Sequence, residues 1–156
     1  MILRAVVLAP MARHRDYAVD RICRQAYPVA VSWDVEYTDE FNAWWTSLTE
    51  DEQDAVAVGI RKLETLGLAL GYPHSSQVKG SRHGHMRELR IQVQGRPFRI
   101  FYAFNPERNA ILLIGGDKGA LGDDRFYEVY VPLADSIYDE HLAELAAEKR
   151  AGEQKK

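Results

Sequence analysis

Four cations at strand-like spacing give this sequence its clearest chemical signal. Arg87, Arg90, Arg99 and Lys118 lie on or beside three consecutive segments of strand character between residues 86 and 118. An arginine presents five N–H donors in a planar fork and a lysine presents a compact positive charge, and both groups bind phosphates and carboxylates. Cations on strands that otherwise carry apolar residues therefore predict a surface that handles an anion.

The distribution of charge supports the same prediction. The chain has a formal net charge of -3, yet residues 77–118 hold eight Lys and Arg against three acidic residues, a local charge of +5. An evenly acidic protein would argue against a nucleic-acid partner, whereas a concentrated basic segment with acidic flanks is compatible with one.

Arg99 is the sharpest single residue of this segment. Its strand alternates so that Phe98 and Ile100 share one face and Arg99 takes the other. We expect the Arg99 side chain to project into an open concave surface. Two other interpretations stay open, a solvated arginine on an ordinary exposed sheet face and a cross-strand pair with Glu88.

Arg87 and Lys118 are weaker signals. Arg87 shares its parity with Leu89 and Ile91, so a strand-end arginine that reaches solvent is the competing interpretation. Lys118 follows two glycines, Gly115 and Gly116, which let a ligand approach the backbone closely. The four residues 115–118, Gly-Gly-Asp-Lys, are also typical of an ordinary turn at a strand end, and the spacing of a P-loop is missing.

The predicted loop at residues 79–85 adds more positive charge and two histidines. Lys79, Arg82 and His83 are candidate nucleic-acid contacts, and His83 or His85 is a candidate general base. A flexible polar loop is the alternative. His74 extends the histidines to three, but no cysteine or carboxylate pattern completes a tetrahedral set, so we predict no metal site and no cofactor.

Length and composition predict a single domain. At 156 residues with 46% hydrophobic content the chain can bury a real core. Cys23 is the only cysteine, which excludes an intramolecular disulfide and fits the reducing cytoplasm. We expect an N-terminal extension over residues 1–30 with one helical turn at 16–25, the domain itself over 31–147, and a polar tail over 148–156. The extension is too short in apolar residues to span a membrane.

The periodicities predict an α+β fold. A strand at 31–37 precedes a helix capped by Asp39, and the capping box of Thr49 and Glu52 opens a second helix that ends at Gly67. Residues 68–84 are predicted as a loop, three strands follow at 87–93, 98–104 and 110–114, and helices are expected at 123–131 and from Pro132. The expected architecture is a small, mostly antiparallel sheet of about four strands, with the α-hairpin packed on one face and a C-terminal helix.

Three short motifs in this order resemble a known family. They are R-E-L-R at 87–90, F-R-I-F-Y at 98–102 and G-G-D-K at 115–118. Over residues 31–146 the chain resembles the RelE/HigB toxin superfamily, and within it the phage-related HigB-like branch. The resemblance implies a RelE-like fold and a toxin of a type II toxin–antitoxin pair.

The resemblance also implies an activity and partners. The toxin would be a metal-independent mRNA endonuclease, associated with the ribosome, that inhibits translation and growth in the cytoplasm. Attack of a ribose 2′-OH on the adjacent phosphate would leave a 2′,3′-cyclic phosphate. The partners would be a cognate antitoxin protein, mRNA and the ribosome, with no membrane.

Residue by residue, the resemblance assigns Arg99 to the scissile phosphate and Lys118 to a general acid or second phosphate clamp. Tyr127, with Tyr130 as its rival, would stack on a base or assist proton transfer. Arg87 or Arg90 matches the basic strand residues of RNA-cleaving relatives, in which one such group is the base. Because an arginine is hard to deprotonate, His83, His85 or charge stabilisation alone are alternatives, and Lys79, Arg82, His83 and Arg90 would bind RNA.

Two other functions fit the same fold. A non-enzymatic toxin of the ParE branch, which inhibits DNA gyrase by binding, would not need Arg99 and Lys118 together. A non-toxic, phage-derived interaction protein would use its basic surface for binding alone.

Overall fold

A computed structural model describes residues 3–4 and 32–155 of the chain. The helical turn predicted at residues 16–25 lies outside these residues. In chain order, the elements are β1 Leu3–Arg4, β2 Val35–Tyr37, α1 Asp39–Thr46, α2 Glu50–Leu66, a 3-10 turn Gly67–Ala69, β3 Ser75–Gln77, β4 Arg87–Val93, β5 Arg96–Phe104, β6 Ala110–Asp117, α3 Lys118–Leu121 and α4 Asp123–Glu153. The α+β class is confirmed.

The six strands form one mixed sheet in the order β1-β2-β6-β5-β4-β3. All neighbouring strands are antiparallel except β2 and β6, which pair in parallel from Val35 opposite Ala110 to Tyr37 opposite Leu112. The prediction of about four strands was therefore too low. It missed β1 and β3, whose two and three residues are too few to show a periodicity.

Helices α1 and α2 pack on one face of the sheet. This face buries the side chains of one parity of β4 and β5, among them Leu89, Ile91 and Ile100, together with Ile60 and Leu63 of α2. The predicted capping box is present, with the Thr49 side chain accepting from the backbone of Glu52 and the Glu52 side chain accepting from the backbone of Thr49. The cap of α1 is Thr38 instead of Asp39, and the Thr38 hydroxyl accepts from the backbone of Phe41 at 3.1 Å.

The opposite face is covered by the long helix α4. Two helices were predicted here with a break at Pro132, but the structure has one helix of 31 residues that contains this proline and extends to Glu153. Val131 and Ala134 on either side of Pro132 are buried against the sheet with Phe101 and Ile111. This packing holds the helix together across the position that lacks a backbone N–H donor.

Within residues 32–155, none of the helices combines the length and the apolar composition that crossing a bilayer requires.

Candidate functional site

The face of the sheet beneath α4 carries a pair of opposed arginines. Arg90 of β4 and Arg99 of β5 are direct cross-strand partners. Like charges in this position repel each other, and Glu88, two residues before Arg90 on the same face, lies between them. Its Oε1 is 3.4 Å from Arg90 Nη1 and 3.7 Å from Arg99 Nε. One carboxylate thus holds two guanidinium groups side by side.

Glu88 is buried, with 3% of its surface exposed, and its carboxylate accepts further hydrogen bonds. The Tyr127 hydroxyl donates to both Glu88 oxygens at 2.9 and 3.1 Å, and the Ser76 hydroxyl donates to Oε1 at 3.1 Å. Burial raises the pKa of Tyr127, and the neighbouring Glu88 charge raises it further, while Arg99 opposes this. Tyr127 therefore stays protonated at neutral pH and acts as a hydrogen-bond donor.

Arg99 does not project into an open surface, which corrects the expectation from the sequence. It is 3% exposed, and it lies under α4 because its face of β5 is the one that the helix covers. Its Nη1 donates to the carbonyl oxygen of Phe98 at 2.9 Å, whereas its buried Nε has no hydrogen-bond partner within the described residues. The Nε lies within ion-pair distance of Glu88 but beyond hydrogen-bond distance, so one N–H donor of this buried cation is left without an acceptor in the described part of the chain.

Lys118 lies beside Tyr127, at the point where β6 ends and α3 begins. Its Nζ is 3.1 Å from Asp123 Oδ2 and 5.4 Å from the centre of the Tyr127 ring. The Asp123 side chain is largely exposed, so water screens this ion pair. Arg90, Arg99 and Lys118 thus meet two carboxylates, one of them in solvent, and the cluster is net positive.

The two glycines before Lys118 have a different role from the one expected. A Cβ atom at Gly115 would lie 2.3 Å from the Trp44 ring, and one at Gly116 would lie 2.7 Å from the Tyr130 ring. The space that the sequence suggested for a ligand is filled by one aromatic ring on each face of the sheet. Tyr130 is consequently a packing residue beside Arg99, since Gly116 is the cross-strand partner of Arg99.

Arg87 is not part of this cluster. It belongs to the other parity of β4, so its side chain lies on the α2 side of the sheet, and its Nε donates to Ser75 Oγ at 3.1 Å. Ser75 in turn shares a 2.6 Å hydrogen bond with the buried Tyr102 hydroxyl. The structure thus joins Arg90, Arg99, Lys118 and Tyr127 and separates Arg87 from them.

The basic loop at residues 79–85 is bound to the middle of α4. The backbone N–H of Arg82 donates to the buried Asp135 at 3.0 Å, the Arg82 and His83 side chains both contact Asp139, and His85 contacts the Tyr138 hydroxyl at 3.1 Å. Tyr138 follows Tyr127 by eleven residues, about 16 Å along a helix. Neither histidine is therefore beside Arg99, and Lys79 is an exposed residue of the same loop.

The sequence predicted the role of Glu88 only in part and did not predict the role of Asp135. Glu88 was considered only as a partner that would neutralise Arg99, although its place between two arginines in R-E-L-R is a signal for a shared carboxylate. Asp135, which anchors the basic loop, lies on a helix with many acidic residues, and nothing in the local pattern distinguishes it. In the described part of the chain, no three His, Cys, Asp or Glu residues are grouped so that they could hold a metal ion. His74, the third histidine of the sequence prediction, contacts Lys62 Nζ at 3.3 Å through its Nδ1.

Comparison with known proteins adds relatives to this geometry. The family model described as "Phage derived protein Gp49-like (DUF891)" matches residues 43–139. Two proteins of Mycobacterium tuberculosis (strain ATCC 25618 / H37Rv) are similar. "Putative toxin HigB2" is 38% identical over 116 residues, 74% of this chain and 57% of that protein. "Putative toxin HigB3" is 39% identical over 100 residues, 64% of this chain and 85% of that protein. The chain thus spans little more than half the length of the first relative and most of the second.

Proposed function

The chain belongs to the phage-derived Gp49-like family, which confirms the HigB-like resemblance, and on this premise we propose that it is the toxin of a type II toxin–antitoxin pair that cuts mRNA. Its relatives are named as HigB toxins. In this proposal the toxin acts in the cytoplasm on mRNA, in association with the ribosome, and a cognate antitoxin protein neutralises it.

The observation that carries the proposal is the opposed pair of Arg90 and Arg99 around one buried carboxylate. A fold that needed only stability would gain little from two like charges at this register. A bound phosphodiester would bring the negative charge that the cluster lacks, and arginine forks match phosphate oxygens in geometry.

The burial of each cation suggests its role. The Arg90 side chain is 30% exposed and the Lys118 side chain 13%, against 4% for Arg99, so Arg90 and Lys118 are the two cations placed to contact the phosphate. Arg99 is buried and acts as a positioning residue, since it fixes Glu88, which in turn orients Arg90 and Tyr127. The Arg99 side chain is 4% exposed, which leaves it little surface for direct contact with a phosphate.

The proposed chemistry is electrostatic. The ribose 2′-OH gives its proton to a water molecule as its oxygen attacks phosphorus, negative charge accumulates on the phosphorane oxygens, and the bond from phosphorus to the 5′-oxygen then breaks. Fixed cations stabilise that charge more in the transition state than in the ground state. Lys118 can protonate the leaving 5′-oxygen, whereas the raised pKa of Tyr127 makes it a donor and not a base.

Induction of the chain in cells, with and without its antitoxin, tests this function. Growth should stop without the antitoxin, and primer extension on a cellular mRNA should map new cuts. Arg90→Ala and Lys118→Ala should each abolish the cuts. Arg125→Ala is the matched control, because Arg125 is an exposed cation near the start of α4 whose ion pair is with Glu128.

Three results would contradict the proposal. Growth arrest with intact mRNA and gyrase-linked DNA damage would indicate a ParE-like toxin. The absence of arrest would indicate an interaction protein without toxicity. Cuts that persist in both Arg90→Ala and Lys118→Ala would remove this cluster from the reaction.

A further inference from the structure

One aromatic ring beside the cation cluster is open to solvent. Tyr72 is 80% exposed, more than any other large apolar side chain within residues 32–155, and it is the only aromatic residue of the exposed set Val58, Leu66, Leu68, Tyr72, Leu121, Val129 and Leu133. Isolated apolar residues at a surface are ordinary. This ring differs from them because it lies next to Arg90, one of the cations of the proposed phosphate site.

The ring of Tyr72 lies against Arg90. The guanidinium carbon of Arg90 is 5.6 Å from the ring centre, within the range of a cation–π contact. The backbone N–H of Arg90 also donates to the carbonyl oxygen of His74 at 2.9 Å, which ties the segment after Tyr72 to β4. The ring is therefore held at the open edge of the cluster, with most of its surface in water.

The other two tyrosines of the cluster are already engaged. Tyr127 donates its hydroxyl to Glu88, and its ring lies against Lys118. Tyr130 stacks on Phe126 with 4.4 Å between ring centres and fills the space above Gly116. Tyr72 is the ring of the three that keeps a broad surface available for stacking.

We infer that Tyr72 is a stacking subsite for an unpaired nucleobase next to the phosphate that Arg90 contacts. This inference rests on the proposed function and adds that the RNA must be single-stranded at that nucleotide. Aromatic side chains stack on any base, since every base has a π-face, while the cations position the backbone. Arg90 would connect the two contacts, because it touches the ring and faces the phosphate.

The test measures binding of a short, fluorescein-labelled single-stranded RNA by anisotropy, with the full-length chain and the variants Tyr72→Ala, Tyr72→Phe and Leu68→Ala. Leu68 is the matched control, as an exposed apolar residue of the preceding turn. Tyr72→Ala should weaken binding about 5- to 10-fold, at the lower end of measured stacking contributions. Tyr72→Phe and Leu68→Ala should stay within about twofold of the unmodified chain, because a phenylalanine ring still stacks.

RNAs with a single abasic nucleotide locate the subsite. At one position, loss of the base should weaken binding to the unmodified chain as much as Tyr72→Ala does, and should add nothing to that variant. An unchanged affinity in Tyr72→Ala would overturn the inference, as would a loss in Tyr72→Phe equal to that in Tyr72→Ala, or a loss shared by every abasic RNA.

If Tyr72→Ala weakens capture of the antitoxin and leaves RNA affinity intact, the ring belongs to a protein interface instead. RNA binding that depends on Arg90 but not on Tyr72 would overturn this inference alone, whereas RNA binding independent of Arg90 and Lys118 would contradict the proposed function.

Discussion

The two faces of the sheet differ in what they bury. The face beneath α1 and α2 is filled with aliphatic and aromatic side chains, and its buried polar pair is Ser75 with Tyr102. The face beneath α4 encloses Glu88, Arg99 and Asp135 along with an apolar cluster. The same strands, through alternate residues, thus supply one face whose fully buried side chains are nearly all apolar, with Arg87 half-buried, and one face that also buries charged side chains.

This difference separates stability from function. Burying apolar surface stabilises a fold, at about 25 cal/mol for each Å² removed from water. A buried ion pair often contributes nothing net, because desolvation of the charges offsets their attraction. In the proposed function, Glu88 and Arg99 serve the binding of a phosphate more than stability, whereas Asp135 anchors the basic loop.

Among changes to the charged face, removal of the Glu88 charge should produce the largest loss of stability. Glu88→Gln leaves Arg90 and Arg99 opposed without their shared carboxylate, and we expect a loss of about 3 kcal/mol in the free energy of unfolding, measured in urea. Leu63→Ala in the apolar face should cost about 2–5 kcal/mol. That variant should keep its RNA affinity under conditions where it is folded. A Glu88→Gln protein as stable as the unmodified chain would contradict this account of the charged face.

A combined replacement sharpens the same comparison. Glu88→Leu with Arg99→Met and Tyr127→Phe removes the buried charges and the hydroxyl together. The two groups that lose Glu88 as a partner, Arg90 and Ser76, are only partly buried, so water can replace it. Such replacements are often neutral or stabilising. We expect the free energy of unfolding to be at most about 1 kcal/mol below that of the unmodified chain, or to exceed it. RNA cleavage should be lost. Activity retained in this variant would show that the charged face is dispensable.

Substitutions at the two adjacent glycines of β6 test the packing on the two faces of the sheet, because Gly115 faces α1 and Gly116 faces α4. Gly115→Ala should cost about 2–3 kcal/mol, because its Cβ would meet the Trp44 ring at 2.3 Å. Gly116→Ala should cost about 1–2 kcal/mol, because the Tyr130 ring is farther away at 2.7 Å. Thermal unfolding measures both changes. The Gly116 variant should also impair RNA binding through Tyr130 and Arg99, and the reverse order of stabilities would argue against the packing described.

The charged face should also make stability depend on pH, by a smaller amount. Asn105 Oδ1 accepts two backbone hydrogen bonds, so its Nδ2 donates to His141 Nε2 at 3.1 Å, which requires a neutral imidazole. Burial lowers the pKa of His141, against the opposing influence of Glu144, Glu107 and Glu148.

The sign follows from proton uptake. Below about pH 6.5 the unfolded chain takes up a proton that folded His141 resists, so the contribution is present above this pH and is lost as pH falls. Denaturant unfolding at several pH values should show a steeper loss in the unmodified chain than in His141→Gln, by at most about 1.4 kcal/mol per pH unit. Equal slopes of unfolding free energy against pH in the two proteins would exclude His141 as a source of the pH dependence.

The sequence predicted those features that local patterns determine. The capping box of Thr49 and Glu52 follows from four residues, and the alternation along β4 and β5 follows from a period of two. Both are present in the structure. The family resemblance assigned Arg99, Lys118, Arg87 and Tyr127 to one catalytic site. The structure brings Arg99, Lys118 and Tyr127 together around Glu88, with Arg87 on the other face of β4, and their catalytic roles stay predictions.

The rest depended on tertiary contacts. Arg99 looked exposed because alternation shows which residues share a face but not what covers that face, and here α4 covers it. Pro132 looked like a helix boundary because propensity omits the packing of Val131 and Ala134 on the sheet. The glycines before Lys118 looked like ligand space because their aromatic neighbours are distant in sequence.

The salt dependence of RNA binding tests the central claim most directly. Each phosphate neutralised on a single strand lowers the slope of log K against log salt by about 0.7. If Arg90 and Lys118 each meet a phosphate, Arg90→Ala and Lys118→Ala should each make the slope shallower by about 0.7, and Arg125→Ala should leave it unchanged. A slope that does not change in Arg90→Ala and Lys118→Ala, or that falls equally in Arg125→Ala, would contradict the assignment of this cluster to RNA phosphates.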